Sequence, residues 1–461
     1  MKNMTSNRLE INLILFFKIL LGITVLTVFH LALFRDFDRD EFEAVHSAWK
    51  ILSGERIYLD FFQHHHPFFY YFIGPVISLV GESSSTLLVL RMFMFGFFIG
   101  MLWCTFQISD LVFGNRKITW LAVLFLSAMT MFSQKAIEIR PDVPQVFLGL
   151  LAIVFLWKHV LKPNQIILYL SAICMAISFL FLQKTLFIIA GVGLLQLYWI
   201  FEKKMNILQL ITYWMVFMFS ISPYYLYLWT QGQFEAYLFW NWILNMHFEG
   251  GFSPFKAIID SLYYNHFIWI FFVLGVVRCF KKGIKDLPLL CLILLGTVFL
   301  VQAPYRQYFM PFLPPMCGIA AYGVLSLLRP KQASLVVLIA FMVPMIFFIR
   351  TMIVYPNQPQ LDKVSWVMEN TESADRVYDG DARFNLFRKD IDFFWYSTEP
   401  GKGGLGTYKK LKPYTYDVYS AIQKYKPKII SSLFINDLLE STELGNYYPS
   451  EVYPDLYIKQ K

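Results

Sequence analysis

The stretch His66–Gly81, HPFFYYFIGPVISLVG, decides how this chain is threaded. It is apolar but about 16 residues long, with Pro67 and Pro75 inside it. A full bilayer crossing needs roughly 20 residues. Around it lie eleven clearer apolar runs. The first is Ile11 to Phe34. The others are approximately 85–108, 118–133, 143–160, 165–181, 185–201, 207–229, 263–279, 288–303, 308–328 and 333–354.

Loop charge settles the threading. With 66–81 not crossing, one set of loops holds Arg116 and Lys117; Lys158 and Lys162; Lys203 and Lys204; Arg278, Lys281, Lys282 and Lys285; Arg329 and Lys331. Each then carries at least two cations, as cytoplasmic loops do. If 66–81 crossed, all of them would flip outward. The segment is therefore read as an interfacial or re-entrant helix on the outer face. The first run is too long for a signal-peptide core and is read as an uncleaved span with a cytoplasmic N-terminus.

Composition agrees. The chain of 461 residues is 57% hydrophobic and 16% charged, too apolar for a soluble protein to cover its own surface. The net charge of +8 does not indicate nucleic acid, because Lys and Arg sit in short loops where they set topology. The five cysteines form no CxxC pair and lie in or beside apolar runs, so neither a disulfide framework nor a cysteine zinc site is supported.

The expected fold is an all-α polytopic membrane protein of about eleven transmembrane helices with a small C-terminal α/β soluble domain. Residues 1–355 form the membrane domain, with an external loop at 35–84 carrying juxtamembrane helices. Residues 356–461 form the soluble domain, with strand-like Arg376-Val377-Tyr378 and Lys428-Ile429-Ile430 and a helix-like stretch from Asp417 to Lys424. The GKGGLG run at 401–406 lacks the strand-then-helix setting of a phosphate-binding turn and reads as a flexible loop.

The external segments hold most of the acids and histidines. In RDFDRDEFEAVHSAWKILSG, Phe42, Val45, Trp49 and Leu52 recur at helical spacing, so Glu41–Leu52 reads as an amphipathic helix on the membrane surface. Asp38, Asp40 and Glu41 stand at its start. Both Asp38 with Glu41 and Asp40 with Glu43 have capping-box spacing, so capping competes with catalysis as their role. His64, His65 and His66 could bind a metal, but adjacent residues point in different directions, and anchoring is the preferred reading. Glu138, Arg140 and Asp142 precede a span. Lys184 sits in a tight outer turn at membrane depth, where an ionisable group is a functional candidate and snorkelling the plain alternative. Arg306 enters the membrane from the same face.

The order of these features resembles glycosyltransferase family 39 of the GT-C fold, which includes protein O-mannosyltransferases and the aminoarabinose transferase of lipid A. The resemblance covers roughly residues 10 to 330. Asp40-Glu41 is followed by a helix ending at Ser53-Gly54, then a His-Pro-aromatic segment and Gly81-Glu82-Ser83 leading into a span with Arg91. Next come FGNRK at 113–117, Arg140-Pro141-Asp142, Lys184, and Tyr308-x-x-Pro311-x-x-Pro314. The chain departs from the family where Gln307 separates Arg306 from Tyr308, and where Phe68 follows His65-His66-Pro67.

The resemblance implies transfer of a sugar from a polyprenyl-phosphate donor to an acceptor outside the cytoplasm, with inversion. Asp40 would be the base, beside Glu41. Asp142 would be a second carboxylate that orients the acceptor, holds a cation or joins a metal site. Lys184, Arg306 and Arg140 would meet the departing phosphate, with Tyr308, His65 and His66 among the substrate contacts. The resemblance fixes no cofactor, and a divalent metal is compatible with these residues. The acceptor is an unknown glycan, lipid or protein. The rival class is a membrane transporter or lipid flippase, which would show discontinuous spans and place charges at mid-membrane. Few charges do so here, chiefly Lys18 and Arg91. The external segments lack an Asn-x-Ser/Thr sequon, which favours a bacterial inner membrane.

A cysteine placed at Gly401, in a background without the five native cysteines, is expected to react with an impermeant thiol reagent added outside intact cells. Labelling only after the cytoplasm is opened would overturn the eleven-span threading.

Overall fold

The computed structural model describes residues 2–248, 253–301, 304–399, 403–414, 417–435 and 444–460, with side chains from residue 12 onward. In chain order the first helices are α1 (Lys2–Phe34), α2 (Arg39–Leu52), α3 (Phe68–Val80), α4 (Ser85–Phe113), α5 (Arg116–Ala128) and α6 (Thr130–Lys135). After them come α7 (Asp142–Leu161), α8 (Gln165–Phe181), α9 (Thr185–Phe201) and α10 (Ile207–Thr230). Short α11 (Phe234–Leu238) and α12 (Leu244–Met246) flank a π-helical turn at Phe239–Ile243. Then come α13 (Pro254–Lys281), α14 (Asp286–Val298), a 3₁₀ turn at Arg306–Phe309, α15 (Leu313–Leu327) and α16 (Pro330–Val354).

Six helices, namely α1, α4, α7, α10, α13 and α16, are long and apolar enough to cross a membrane. The shorter apolar helices α8, α9, α14 and α15 and the α5–α6 pair fall on the other expected spans. The polytopic helical fold expected from the apolar runs is the fold observed. Helix α3 has 13 residues, a rise of about 20 Å, the same length as α14.

The chain forms two compact units. Unit 1 comprises Met1–Arg35, Met92–Pro223 and Phe252–Tyr355. Unit 2 comprises Asp36–Arg91, Tyr224–Gly251 and Pro356–Lys461, so the tail groups with two segments lying between spans. Helices α4 and α10 each contribute to both units.

In unit 1, α13 and α15 pack at backbone distance. A Cβ on Gly275 would meet the Ile319 carbonyl at 2.3 Å, and one on Gly323 would meet the Phe271 carbonyl at 2.3 Å. Small residues allow this approach, which is how apolar helices associate without a hydrophobic driving force. The expected single span 118–133 is instead broken at Met129, whose φ/ψ is −71°/108°. The break frees backbone groups that a membrane interior cannot solvate. Asn265 satisfies them: its Oδ1 accepts from the Thr130 N–H at 3.1 Å and its Nδ2 donates to the Ala128 carbonyl at 3.1 Å. Asn265 itself sits at a kink in α13, with φ/ψ of −129°/28°.

In unit 2, α2 carries a capping box. The Asp38 side chain accepts from the Asp40 N–H at 3.2 Å, and the Glu41 carboxylate accepts from the Asp38 N–H at 2.9 Å. Asp38, not Asp40, is therefore the cap. The surface-helix expectation for 41–52 is corrected. Every residue from Glu41 to Lys50 is buried, including Glu43, His46, Ser47 and Lys50 on the polar side.

The tail segment 379–396 supplies partners for that polar side. Asp390 accepts from Lys50 Nζ at 2.5 Å and lies 2.9 Å from His46 Nε2. His46 Nδ1 is 3.0 Å from the Leu386 carbonyl. A sequence window cannot show this cover, because it arrives from 340 residues away.

The tail also contains α17 (Gln358–Glu369), β1 (Val377–Tyr378), α18 (Gly403–Leu411), α19 (Val418–Tyr425), β2 (Ile429–Ser431), β3 (Tyr447–Pro449) and β4 (Leu456–Lys459). The strands order β1-β2-β4-β3, with β1 parallel to β2 and the other pairs antiparallel. Both expected strands and the 417–424 helix are present, with Asp417 as the cap of α19. Of the expected 401–406 loop, 401 and 402 lie outside the described residues, and Gly403 opens α18.

Burial alone would raise the Asp390 carboxyl, but Lys50 and His46 outweigh it and hold it at about 2. An unfolded Asp titrates near 3.9. The stabilisation is therefore complete above that value and is lost as pH falls toward 2. Asp390→Asn is expected to destabilise unit 2 by about 3 kcal/mol, because the buried Lys50 loses its nearest counter-charge. Melting temperature and limited proteolysis of segment 379–396 read the effect, and unchanged values in both would refute it.

Candidate active site

Two clusters of charged residues emerge, one in each unit. In unit 2 the cluster is built on the first turn of α2. Glu41 is wholly buried and receives Arg91 through Nε at 2.8 Å and Nη2 at 2.5 Å. Arg91 also donates to the Asp36 carbonyl at 2.6 Å, and its guanidinium lies 3.8 Å from the centre of the Phe37 ring. This two-point fork explains the lone cation in an apolar run: Arg91 holds the start of α2.

Asp40, one residue earlier, faces differently. Its side chain retains 34% of its exposure and lies 3.7 Å from Arg39. Arg39 in turn reaches Asp381 of the tail at 3.3 Å. A helix start favours a negative side chain, so Asp40 occupies a turn suited to a carboxylate. Of the adjacent pair, Asp40 is the open acid and Glu41 the closed one.

Behind them, Glu43 is buried and accepts from the Tyr70 hydroxyl at 2.9 Å and from Gln63. His66 is buried with Nε2 3.1 Å from the Tyr237 hydroxyl. His64 Nδ1 is 3.2 Å from the Tyr396 hydroxyl, and the His65 ring centre is 4.1 Å from that of His64. The His65 carbonyl accepts from Tyr58 at 2.5 Å. These histidines are built into an aromatic wall, in keeping with the anchoring reading.

In unit 1 the cluster lies just beyond the broken span. Helix α6 ends at Lys135, and the loop to α7 carries Glu138, Arg140 and Asp142. Glu138 is bound by Arg35 at 2.8 Å and Lys135 at 2.8 Å, with Arg140 at 3.5 Å. Asp142, at the start of α7, is bound by Lys184 at 2.9 Å, with Arg140 at 3.6 Å.

Lys184 sits in the tight turn from α8 to α9, with 13% of its side chain exposed. Its ammonium lies 4.3 Å from the centre of the Tyr308 ring. A cation set between a carboxylate and an aromatic face is fixed in place, whereas a snorkelling lysine is not.

Asp142, Arg140, Lys184 and Tyr308 are thus gathered in unit 1. Arg306 is not held with them by an ion pair; it binds Asp260 at 2.9 Å, and both side chains are exposed in part. Asp40, Glu41, His65 and His66 belong to unit 2. Among the described residues, no group of three or more His, Cys, Asp or Glu is placed to hold a metal. The donor set at Asp142, two cations, does not suit a divalent ion, so no chemical step is derived through one.

Sequence reasoning missed Arg35, Tyr396 and Asp381, and it read Glu43 only as a capping partner. Arg35, at the end of a span, was the only one with a usable signal, since a cation there needs a partner.

Glu41→Gln is expected to cost about 3 kcal/mol or more, because it strips Arg91 of its buried counter-charge. Asp40→Asn should cost at most about 1 kcal/mol, since Asp40 is not the cap and the change removes only its favourable charge at the helix start. Thermal unfolding in detergent compares the two, and equal melting temperatures would refute the division between closed and open acid.

Comparison with known proteins places this geometry in a fold. A scan against protein-family models and a search of curated proteins each found no match. Among solved structures, ArnT from Cupriavidus metallidurans bound to undecaprenyl phosphate is similar at a TM-score of 0.70 and 11% identity, over 96% of this chain and 97% of that one. The Archaeoglobus fulgidus oligosaccharyltransferase in its apo form is similar at a TM-score of 0.61 and 13% identity, over 96% and 74%. The same enzyme, AglB, in complex with an inhibitory peptide and a dolichol-phosphate gives 0.57 and 12%, over 96% and 74%. The chain shares the GT-C fold of these proteins.

Proposed function

We propose that the chain is an integral membrane glycosyltransferase. It moves a sugar from a polyprenyl-phosphate donor to an acceptor on the extracytoplasmic side of an inner membrane. The observation that carries the reading is Lys184, an ammonium fixed by Asp142 and Tyr308 in a turn between two apolar helices. It is supported by the shared fold with ArnT bound to undecaprenyl phosphate and AglB with a dolichol-phosphate.

The chemistry is a single displacement. The acceptor oxygen attacks the anomeric carbon as the carbon–oxygen bond to the lipid phosphate breaks, so the configuration inverts. The lipid phosphate leaves as an anion, stabilised by Lys184 and Arg140 rather than by a general acid. The acceptor proton passes to Asp40. Glu41 and Arg91 act as positioning residues that set the turn bearing Asp40. Asp142 holds Lys184 and Arg140 for the phosphate. Arg306, engaged with Asp260, stands outside this assignment.

Mass spectrometry of copurifying lipid should find a polyprenyl phosphate or its sugar ester, depleted about 10-fold or more in Lys184→Ala. Wild-type lipid content and turnover in that variant would reduce Lys184 to an interfacial anchor. Asp40→Asn is expected to lower transfer on the order of 10²-fold or more while retaining lipid. Asp38→Asn preserves a capping side chain and should stay active. An inactive Asp38→Asn beside an active Asp40→Asn would move the base by two residues.

A further inference from the structure

Unit 2 holds an open cleft of about 1010 Å³ at the other end of α2 from Asp40. Its walls come from Lys50, Arg376, Lys389, Asp392 and, on α19, Lys424 and Tyr425. Four further acids border it, and each is engaged. Asp390 is held by Lys50 and His46. Glu55 is bound by Lys50 at 3.2 Å. Asp60 takes two N–H groups of Arg56, each at 3.1 Å. Asp417 caps α19 through the Tyr419 N–H at 3.1 Å.

The cations differ. Among the described residues, no carboxylate lies within ion-pair distance of Lys389 or Lys424. Arg376 gives one N–H to the Asp390 carbonyl and otherwise lies 4.6 Å from the centre of the Tyr425 ring. Lys424 approaches the same ring at 4.7 Å. Asp392 is the remaining carboxylate. Its Oδ1 accepts from the Phe393 N–H at 2.5 Å and the Tyr414 hydroxyl at 3.4 Å, and the Phe394 N–H also acts on it. A carboxylate offers about four acceptor sites, so capacity remains for a ligand hydroxyl. Burial pushes its carboxyl up, and Lys424 acts on it electrostatically without closing an ion pair.

We infer that this cleft binds an acidic saccharide, a polyhydroxylated ligand bearing a carboxylate or a phosphate, on the acceptor side of the reaction. The inference rests on the reading of the chain as a sugar transferase. Lys389, Lys424 and Arg376 receive the anion, and Asp392 accepts a sugar hydroxyl. A neutral sugar would leave Lys389 and Lys424 without an ion-pair partner, and a bare anion would face Asp392 without a hydroxyl to give it. The volume is at the upper end of small-molecule sites, about 300–1,000 Å³, and so admits more than one ring. Lys50 and Asp40 are about 15 Å apart along α2, so the cleft grips a remote part of the acceptor. Remote binding energy of this kind orients the reacting end.

Isothermal titration of the full chain in detergent would use trigalacturonate, glucose 6-phosphate, maltotriose and inorganic phosphate. At least one of the two acidic saccharides should bind about 10-fold or more tightly than both maltotriose and inorganic phosphate, as a charge-assisted contact predicts. Which of the two binds distinguishes carboxylate from phosphate. The double variant Lys389→Glu/Lys424→Glu should abolish the preference, and Asp392→Asn should weaken the saccharide but not inorganic phosphate. Equal binding of acidic and neutral saccharides, inorganic phosphate as tight as either, or unaffected variants would each overturn the site. Binding is read without turnover and in the Asp40→Asn background, so it decides on the cleft even where that variant keeps transfer. A double variant that loses binding yet keeps wild-type KM for the acceptor would overturn its acceptor role.

Discussion

The buried pair of Glu41 and Arg91 fixes the turn on which α2 and its neighbours are built. Both side chains are wholly excluded from solvent, and the guanidinium reaches both carboxylate oxygens and the Asp36 carbonyl. Such a pair is costly to desolvate and costlier still to break, because either partner alone would be an uncompensated buried charge. Its consequence is geometric. Arg91 belongs to α4 and Glu41 to the first turn of α2, so the chain between them cannot slide without separating two charges. The capping bonds of Asp38 sit on the same turn and define where the helix begins.

The far end of α2 is held by a second closed set, in which Asp390 is shared by Lys50 and His46. A helix of 14 residues is thereby pinned at both ends by charge and along its length by burial. This makes the tail part of the scaffold rather than an appendage. The tail's Asp381 also reaches back to Arg39, the neighbour of Asp40.

Apolar runs and loop charge made the helical architecture legible. Run length depends only on bilayer thickness, and loop cations only on topology. The break at Met129 was not legible, because the Asn265 that makes it tolerable lies 135 residues from Thr130. Nor was the cover on α2. Its polar side chains read as a face turned to water, and nothing local shows that Asp390 answers them. The charged cluster of unit 1 was legible by residue type. Lys184 stood out as a cation in a tight turn, though its partner Asp142 is 42 residues away. Arg306 enters from the same face, but Gln307 already set it apart from the family pattern, and its pairing with Asp260 depends on a fold that no window contains.

Closure is what separates residues that hold from residues that can react. A base must exchange its proton with a substrate, and a phosphate-binding cation must present charge to a ligand; neither is compatible with complete enclosure. Glu41 and Arg91 have no exposure and are matched to each other, so their free energy is committed to shape. Asp40 keeps 34% of its side chain accessible, and Lys184 keeps 13% while being anchored on two sides. Anchoring without enclosure is the condition for preorganised electrostatics, because the group need not reorganise when charge develops on a leaving oxygen. By that criterion two adjacent acids of one motif part company. The one keeps part of its side chain accessible, and the other is enclosed with Arg91.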